Sequence, residues 1–198
     1  MKPAKRLFDL AAATLGIILL LPLFLLLALL IKLDDWGPVF FRQERVGYRG
    51  KPFRIWKFRS MVVNAPKLGG VLTVGRDPRI TRVGYWLRKF KLDELPQLFN
   101  VFLGEMSFVG PRPEVAKYVA LYTPDQRRVL ELVPGITDLA SIKYRNESEV
   151  LAKSPDPERT YIEEVMPEKI RINLEYACQA SIGSDLMVIL QTLVRLWR

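Results

Sequence analysis

The sequence predicts an α+β fold, mostly helical. An N-terminal membrane anchor of re-entrant helix-break-helix form is joined to a small cytosolic domain with a short β-hairpin and amphipathic interface helices. Three observations carry this reading. Ala11–Ile31 holds no charged residue and is dominated by leucine and isoleucine. At about 1.5 Å per residue that run makes a helix of about 31 Å, the thickness of a bilayer core. Basic residues flank it on both sides, and no repeat, low-complexity tract or long linker divides the rest of the chain. The chain therefore reads as an anchor at residues 1–36 and one catalytic-size domain at residues 37–198.

The anchor begins after Lys2, Lys5 and Arg6, and Arg42, Arg45, Arg49, Lys51, Arg54, Lys57 and Arg59 come after it. Excess Lys and Arg marks cytoplasmic flanks, so both ends ask for the same side. Pro22 lies mid-run, where it removes a helix hydrogen bond and favours a kink. A bend at Leu21-Pro22 returns the chain to the leaflet it entered; the alternative is a single-pass helix with an outside N-terminus. A cleaved signal peptide is a poor match, because the run is too long and no small-x-small site comes after it. Asp9 is expected to pair with Lys5 or Arg6 at the interface.

Val39–Arg45 and Pro52–Arg59 are rich in β-branched and aromatic residues, and Gly47 and Gly50 lie between them, which predicts a hairpin. Residues 64–78 read as a loop, and Ile80–Phe90 as a basic amphipathic helix succeeded by a helix at Asp93. Short helices are predicted over Glu114–Tyr122 and Pro124–Leu132, a turn at Pro134-Gly135, and a helix over Glu158–Ala180 broken at Pro167. A last helix starts with Ser184 as cap and Asp185 in its first turn. It is read either as lying in the membrane interface with Trp197 at headgroup level, or as packed on the domain.

Composition bounds the chemistry. At 198 residues and 49% apolar the chain is long enough for a real core. A net charge of +9 implies an anionic partner: nucleic acid, acidic lipid or a phosphorylated substrate. The absence of histidine excludes any histidine base or ligand. A single cysteine, Cys178, rules out an internal disulfide and a cysteine-rich zinc site, and it is expected to be a small buried hydrophobe.

The densest stretch runs from Lys91 to Pro113. Asp93 and Glu94 precede Pro96, which is tolerated only in a first helical turn, so a helix starting near Asp93 would hold both acids at its N-terminus. There the helix dipole favours ionised carboxylates and bound anions. Neighbouring helical positions point about 100° apart, so the pair suits a division of labour rather than opposed acid–base work. One carboxylate attacks phosphorus, and the other binds a hard cation such as Mg²⁺ or handles a proton. The bland alternative is N-terminal capping alone. Arg112, bracketed by Pro111 and Pro113, presents a guanidinium suited to paired hydrogen bonds with phosphate, and Arg145 offers a second. Glu105 is a further acid in the stretch. The run Phe53–Arg59 admits a nucleic-acid reading, but beside a membrane segment a basic sheet facing anionic headgroups explains the same pattern and is preferred.

These residues resemble the monotopic phosphoglycosyl transferases, bacterial sugar transferases that start glycan assembly on a polyprenyl phosphate carrier. The resemblance rests on KRLFD at Lys5–Asp9, FRQERVGYRGKPFRIWKFRSM at Phe41–Met61 and DPRITRVGYWLRK at Asp77–Lys89. LDELPQLFNVFLGEMSFVGPRP at Leu92–Pro113 and PGIT at Pro134–Thr137 complete it. It implies a re-entrant anchor with both ends cytoplasmic at the bacterial inner membrane, and a Mg²⁺-dependent ping-pong reaction on a UDP-sugar. Asp93 would be the nucleophile that takes the phosphosugar and releases UMP, and Glu94 a metal ligand or proton handler, with both acids at the metal. Undecaprenyl phosphate would then accept the phosphosugar. Lys57, Arg59, Arg88, Arg112 and Arg145 are implied phosphate holders. Membrane lipids are implied partners and nucleic acid is not; a homodimer is left open. Two departures stand out: Leu21-Pro22 replaces the usual Ser-Pro at the membrane break, and Asp138 to Glu147 departs from the common continuation after PGIT, which points to another sugar or subgroup. Without the extra N-terminal membrane helices of longer relatives, the chain is expected to be the minimal catalytic form.

Overall fold

A computed structural model of the chain describes residues 2–68 and 77–196. The first helix, α1, covers Pro3–Asp35, with Pro3 at its start and Trp36 in the left-handed conformation (φ 57°) at its end. One stripe of α1 packs on the rest of the chain. Ala13, Phe24, Leu27 and Ile31 are buried, while Leu15, Ile18, Leu19, Leu25, Leu26 and Leu29 face outward. The helix is thus apolar all round but covered on one side only, as expected of a helix in contact with lipid. The backbone stays helical through Leu21 and Pro22. The break expected there is therefore not an interruption: Pro22 deprives the Ile18 carbonyl of its partner, and the flanking turns hold the helix.

Both ends of α1 grip the domain. The Arg6 guanidinium donates to the carbonyls of Val101 (2.6 Å) and Phe102 (2.8 Å), and Lys5 pairs with Asp185. Asp9 does not pair with Lys5 or Arg6. Both cations are drawn to partners on the domain, and Asp9 is fully buried, accepting a long bond from the Phe108 N–H (3.4 Å). At the other end Asp34 accepts from the Val83 N–H (3.1 Å), and Asp35 forms a two-pronged ion pair with Arg59.

The predicted hairpin is present. β1 (Phe40–Val46) pairs antiparallel with β2 (Pro52–Phe58), in the register Phe41 opposite Lys57 and Arg45 opposite Phe53. The connection is a short 3₁₀ turn, Tyr48–Gly50. The short helix α2 (Ala65–Leu68) opens the segment read as a loop, most of which lies outside the described residues. Next, α3 (Arg82–Lys89) is capped by the Thr81 hydroxyl accepting from the Gly84 N–H at 2.9 Å. Gly84 is required because a Cβ there would strike the Ser60 carbonyl.

After α3 the chain turns sharply at Lys91 (φ 56°) into a 3₁₀ turn, Leu92–Glu94, and only then enters α4 (Gln97–Leu103), with Pro96 at its cap. The two acids therefore precede the helix instead of opening it. The left-handed Lys91 favours a tight separate turn, and Pro96 confines the α-helix to the residues after it. Fully buried Asn100 ties α4 to the hairpin: it accepts from the Trp56 N–H and donates to the Arg54 carbonyl, each at 2.9 Å, and to Glu105 at 2.7 Å.

β3 (Ser107–Val109) and β4 (Gly135–Thr137) form a parallel pair joining the two glycine-containing motifs. The turn predicted at Pro134-Gly135 is thus the start of a strand. Gly110 and Gly135 approach so closely that a Cβ on either would overlap the other segment's backbone. Between them lie α5 (Ala116–Val119) and a 3₁₀ segment, Gln126–Glu131. Next come α6 (Leu139–Lys143), capped by Asp138, then α7 (Glu147–Ala152) and α8 (Pro157–Thr160). A π-helical turn, Tyr161–Val165, leads into α9 (Met166–Cys178), so the break predicted at Pro167 is realised as a widened turn just before it. The last helix, α10 (Ile182–Leu196), begins before the predicted Ser184, with the Ser181 hydroxyl accepting from the Ser184 N–H at 3.1 Å. Trp197 lies outside the described residues. Cys178 is exposed rather than buried, because it closes α9 at the surface.

Three apolar clusters hold these elements. Phe24, Leu27 and Ile31 pack with Phe58, Leu87 and Leu98; Ala13 with Ile55, Val101 and Met106; and Tyr118, Tyr161, Met166 and Ile170 form the centre of the third. Each large side chain so buried contributes about 1.5–3 kcal/mol. The first two clusters fix α1, β2 and α4 around the acid turn.

Candidate active site

The 3₁₀ turn places Asp93 and Glu94 on the wall of a cavity of about 1040 Å³ that Lys57, Arg88, Lys91 and Arg112 also line. Each comes from a different local structure: Lys57 from β2, Arg88 from the last turn of α3, Lys91 from the left-handed corner, and Arg112 from the Pro111–Pro113 segment after β3. Locking the hairpin to α4 through Asn100 brings Lys57 over the turn. Pairing β3 with β4 brings Arg112 to it from the other side.

The two neighbouring acids have opposite environments. Both Glu94 oxygens are engaged: Oε1 accepts from Lys57 Nζ at 2.9 Å and from the Arg112 guanidinium, and Oε2 accepts a second Arg112 bond at 3.0 Å. Burial alone would raise the Glu94 carboxyl, but the charges of Arg112 and Lys57 overcome it and hold Glu94 well below the usual carboxylate range. The Glu94 charge in turn raises Arg112, while burial lowers Lys57. Asp93 is only 5% exposed, and its Oδ1 is buried with no hydrogen-bond partner. Burial, then the adjacent Glu94 charge, push its carboxyl upward against Lys57, Arg88 and Lys91. One carboxylate is neutralised by cations, and the other keeps a buried oxygen without a partner.

Behind Arg112 stands Asp138, the cap of α6. It accepts from the Ser141 N–H (2.9 Å) and hydroxyl (2.5 Å) and from Asn173 (3.2 Å), and its charge also bears on Arg112. Glu114, also on the cavity wall, accepts from Arg45 at 3.2 Å and from the Tyr161 hydroxyl, a half-buried pair. Lys91, Asp138 and the Arg45–Glu114 pair were not singled out by sequence reasoning. Lys91 adjoins the acid pair and was within reach of that reasoning; the others depend on packing.

The remaining expected residues divide. Arg88 lines the cavity and acts on Asp93, and Arg145 lines it as well, from the segment after α6. Arg59 plays a different part. It donates to the Pro38 carbonyl (2.6 Å), the Met61 carbonyl (3.1 Å) and Asp35, so its donors fasten the end of α1 and do not present a free guanidinium to phosphate. Glu105 supports Asn100. Among the described residues, no three acids, cysteines or histidines cluster as a ready metal cage. A hard cation of the magnesium type fits only in the mode where substrate phosphates and water supply most ligands and the protein one carboxylate oxygen. The unpartnered Oδ1 of Asp93 fits that mode, and Glu94, with both oxygens occupied by cations, does not.

All 198 residues match the family described as bacterial sugar transferase. The UDP-glucose:undecaprenyl-phosphate glucose-1-phosphate transferase of Escherichia coli (strain K12) is 37% identical over 199 residues, covering 96% of this chain and 39% of that protein. The undecaprenyl-phosphate glucose phosphotransferase of Komagataeibacter xylinus is 39% identical over 198 residues, covering 96% and 35%. The exopolysaccharide production protein ExoY of Rhizobium meliloti (strain 1021) is 34% identical over 205 residues, covering 96% and 84%. The chain thus spans well under half the length of the first two relatives and most of the third. With a match running from end to end, the chain belongs to the bacterial sugar transferase family.

Proposed function

We propose that the chain is a phosphoglycosyl transferase that moves a sugar phosphate from a UDP-sugar to undecaprenyl phosphate at the cytoplasmic face of the bacterial inner membrane. The observation that carries this reading is the unpartnered Asp93 carboxylate oxygen beside a cation-saturated Glu94, on the wall of a basic cavity. An Asp93 oxygen attacks the phosphorus that bears the sugar. The new acyl–phosphate bond forms as the bond to the UMP oxygen breaks, and UMP leaves with that electron pair. A phosphate oxygen of the lipid then attacks the same phosphorus, creating the diphosphate and returning Asp93 to a carboxylate.

The raised affinity of Asp93 for protons makes it a better nucleophile than an ordinary carboxylate, while Lys57, Arg88 and Lys91 keep the ionised form accessible. Glu94 anchors Arg112 and Lys57, so both cations stand ready for the diphosphate without searching rotamers. Magnesium bound at Asp93 and the substrate phosphates would supply further charge neutralisation.

The test is UMP release by purified, detergent-solubilised protein given undecaprenyl phosphate, Mg²⁺ and a panel of UDP-sugars. Release with one sugar, lost in Asp93→Asn and in chelator, is expected. If folded protein releases no UMP with any donor, the reading as a UDP-sugar enzyme fails. Full activity in Asp93→Asn would remove Asp93 from the nucleophile role.

A further inference from the structure

A second depression of about 880 Å³ lies between α6 and α10, and among the described residues its lining contains the cations Lys143, Arg145 and Arg195 and no acid. The opposite wall is the outer face of α10, where Met187, Leu190 and Val194 are 54–56% exposed. Lys143 is ion-paired with Glu168 at 2.8 Å, and Arg195 donates a long bond to the Ile142 carbonyl (3.4 Å), so these two cations are held in place at the rim. The groove also adjoins the active-site cavity, because Ile142, Arg145 and Arg195 line both. The Thr192 hydroxyl, bonded to Thr137 at 2.7 Å, fixes α10 as the partition between them. Finally, Lys5 pairs with Asp185 in the first turn of α10, so this helix starts beside the start of the apolar α1.

An apolar stripe leading to a rim of cations, continuous with a phosphate-handling cavity and tied to the membrane helix, has the chemistry of a site for a long-chain lipid ending in phosphate. We propose that the α6–α10 groove seats the polyprenyl phosphate acceptor, its first isoprene units along Met187, Leu190 and Val194 and its phosphate passed by Arg195 toward Asp93. The proposal rests on the function proposed above for the identity of the lipid, but its test does not require turnover.

The full-length protein in neutral detergent is titrated with undecaprenyl phosphate, and the dissociation constant is compared among the unchanged protein, Arg195→Glu and Arg195→Lys. In parallel, acceptor-free protein is mixed with the UDP-sugar that supports turnover, and the first equivalent of UMP is measured. Arg195→Glu is expected to weaken lipid binding about 10-fold or more, equivalent to about 1.4 kcal/mol. Arg195→Lys should retain most of the affinity, and the first equivalent of UMP, read on the same samples, shows how far each change also reaches the donor reaction. An unchanged dissociation constant in Arg195→Glu overturns the proposal even where UMP release upholds the enzyme. Equal competition by phosphatidylglycerol would make the groove a general anionic-lipid surface, and displacement by millimolar inorganic phosphate a simple ion site; either overturns it. Arg195-dependent lipid binding in protein that releases UMP from no donor would uphold the groove and overturn the donor chemistry.

Discussion

At the scale of single residues, Asp93 and Glu94 show how one turn can give neighbouring carboxylates opposite environments. The Asp93 carboxyl is raised by burial and by Glu94, so protonation is favoured in the folded state. A raised carboxyl stabilises the fold below its unfolded value of 3.8, and that contribution disappears as pH rises through the folded value. At neutral pH the ionised Asp93 therefore opposes folding. Asp93→Asn is expected to melt at an equal or higher temperature while turnover falls about 10³-fold or more, read by thermal unfolding and UMP release on the same sample. The same shift sets a pH dependence: the single-turnover UMP burst should decline, as pH falls, already above the ordinary carboxylate range. A burst that stays flat until that range would mean that Asp93 is not the titrating group. Glu94 has the opposite sign. Its stabilising ion pairs are present above 4.5 and are lost as pH falls through its lowered folded value. Glu94→Gln leaves Lys57 and Arg112 without their counter-charge. It should cost about 3 kcal/mol, the low end for a broken buried pair, because the Arg112 side chain is 34% exposed.

At the scale of elements, the site depends on a close contact that neither motif reveals by itself. Gly110 and Gly135 are neighbours across the β3–β4 pair, with no room for a Cβ on either. Gly110→Ala is expected to destabilise by about 2 kcal/mol, the cost of forcing extra volume into packed structure. It should also displace Arg112, two residues on, so that the donor KM rises more than the loss of fold explains. Denaturant titration beside steady-state kinetics separates the two effects. This explains what was legible in the sequence. Periodicity and glycine placement give the β1–β2 hairpin, α3 and the apolar helix, because those depend on neighbours in the chain. The parallel β3–β4 pair joins positions far apart in sequence, and Pro134-Gly135 looks like a turn until Gly110 is set against it. Arg59 is a similar case: a basic residue after a basic strand reads as a phosphate ligand, and only the fold brings Asp35 to it, although Arg59 still lines the cavity. The acid pair and Arg112 were visible because motif and chemistry coincide there.

At the scale of the whole molecule, the arrangement of α1 bears on how the protein meets the membrane. A continuous helix over Pro3–Asp35 is about 50 Å long, more than enough to cross a bilayer. Length, however, does not decide the matter. Lys5, Arg6 and Asp9 at one end and Asp34 and Asp35 at the other are all bonded to the same domain. A helix held by one domain at both termini cannot place those termini in opposite aqueous compartments without breaking one set of contacts. The outward leucines can meet lipid while both ends stay with the domain, which is the same-side outcome asked for by the flanking cations. The expected result is that Lys2→Cys and Trp36→Cys, each in a Cys178→Ser background, react with a membrane-impermeant maleimide from the same side. Both should label in inverted vesicles and resist in right-side-out spheroplasts. Opposite labelling of the two positions would show a spanning helix and would require the Arg6 or the Asp35 contacts to be absent in the membrane. Weakening one grip gives an independent check. Arg59→Ala removes the clamp on Asp35 and should raise protease sensitivity around Trp36, leaving acceptor-free UMP release within about threefold of the unchanged protein.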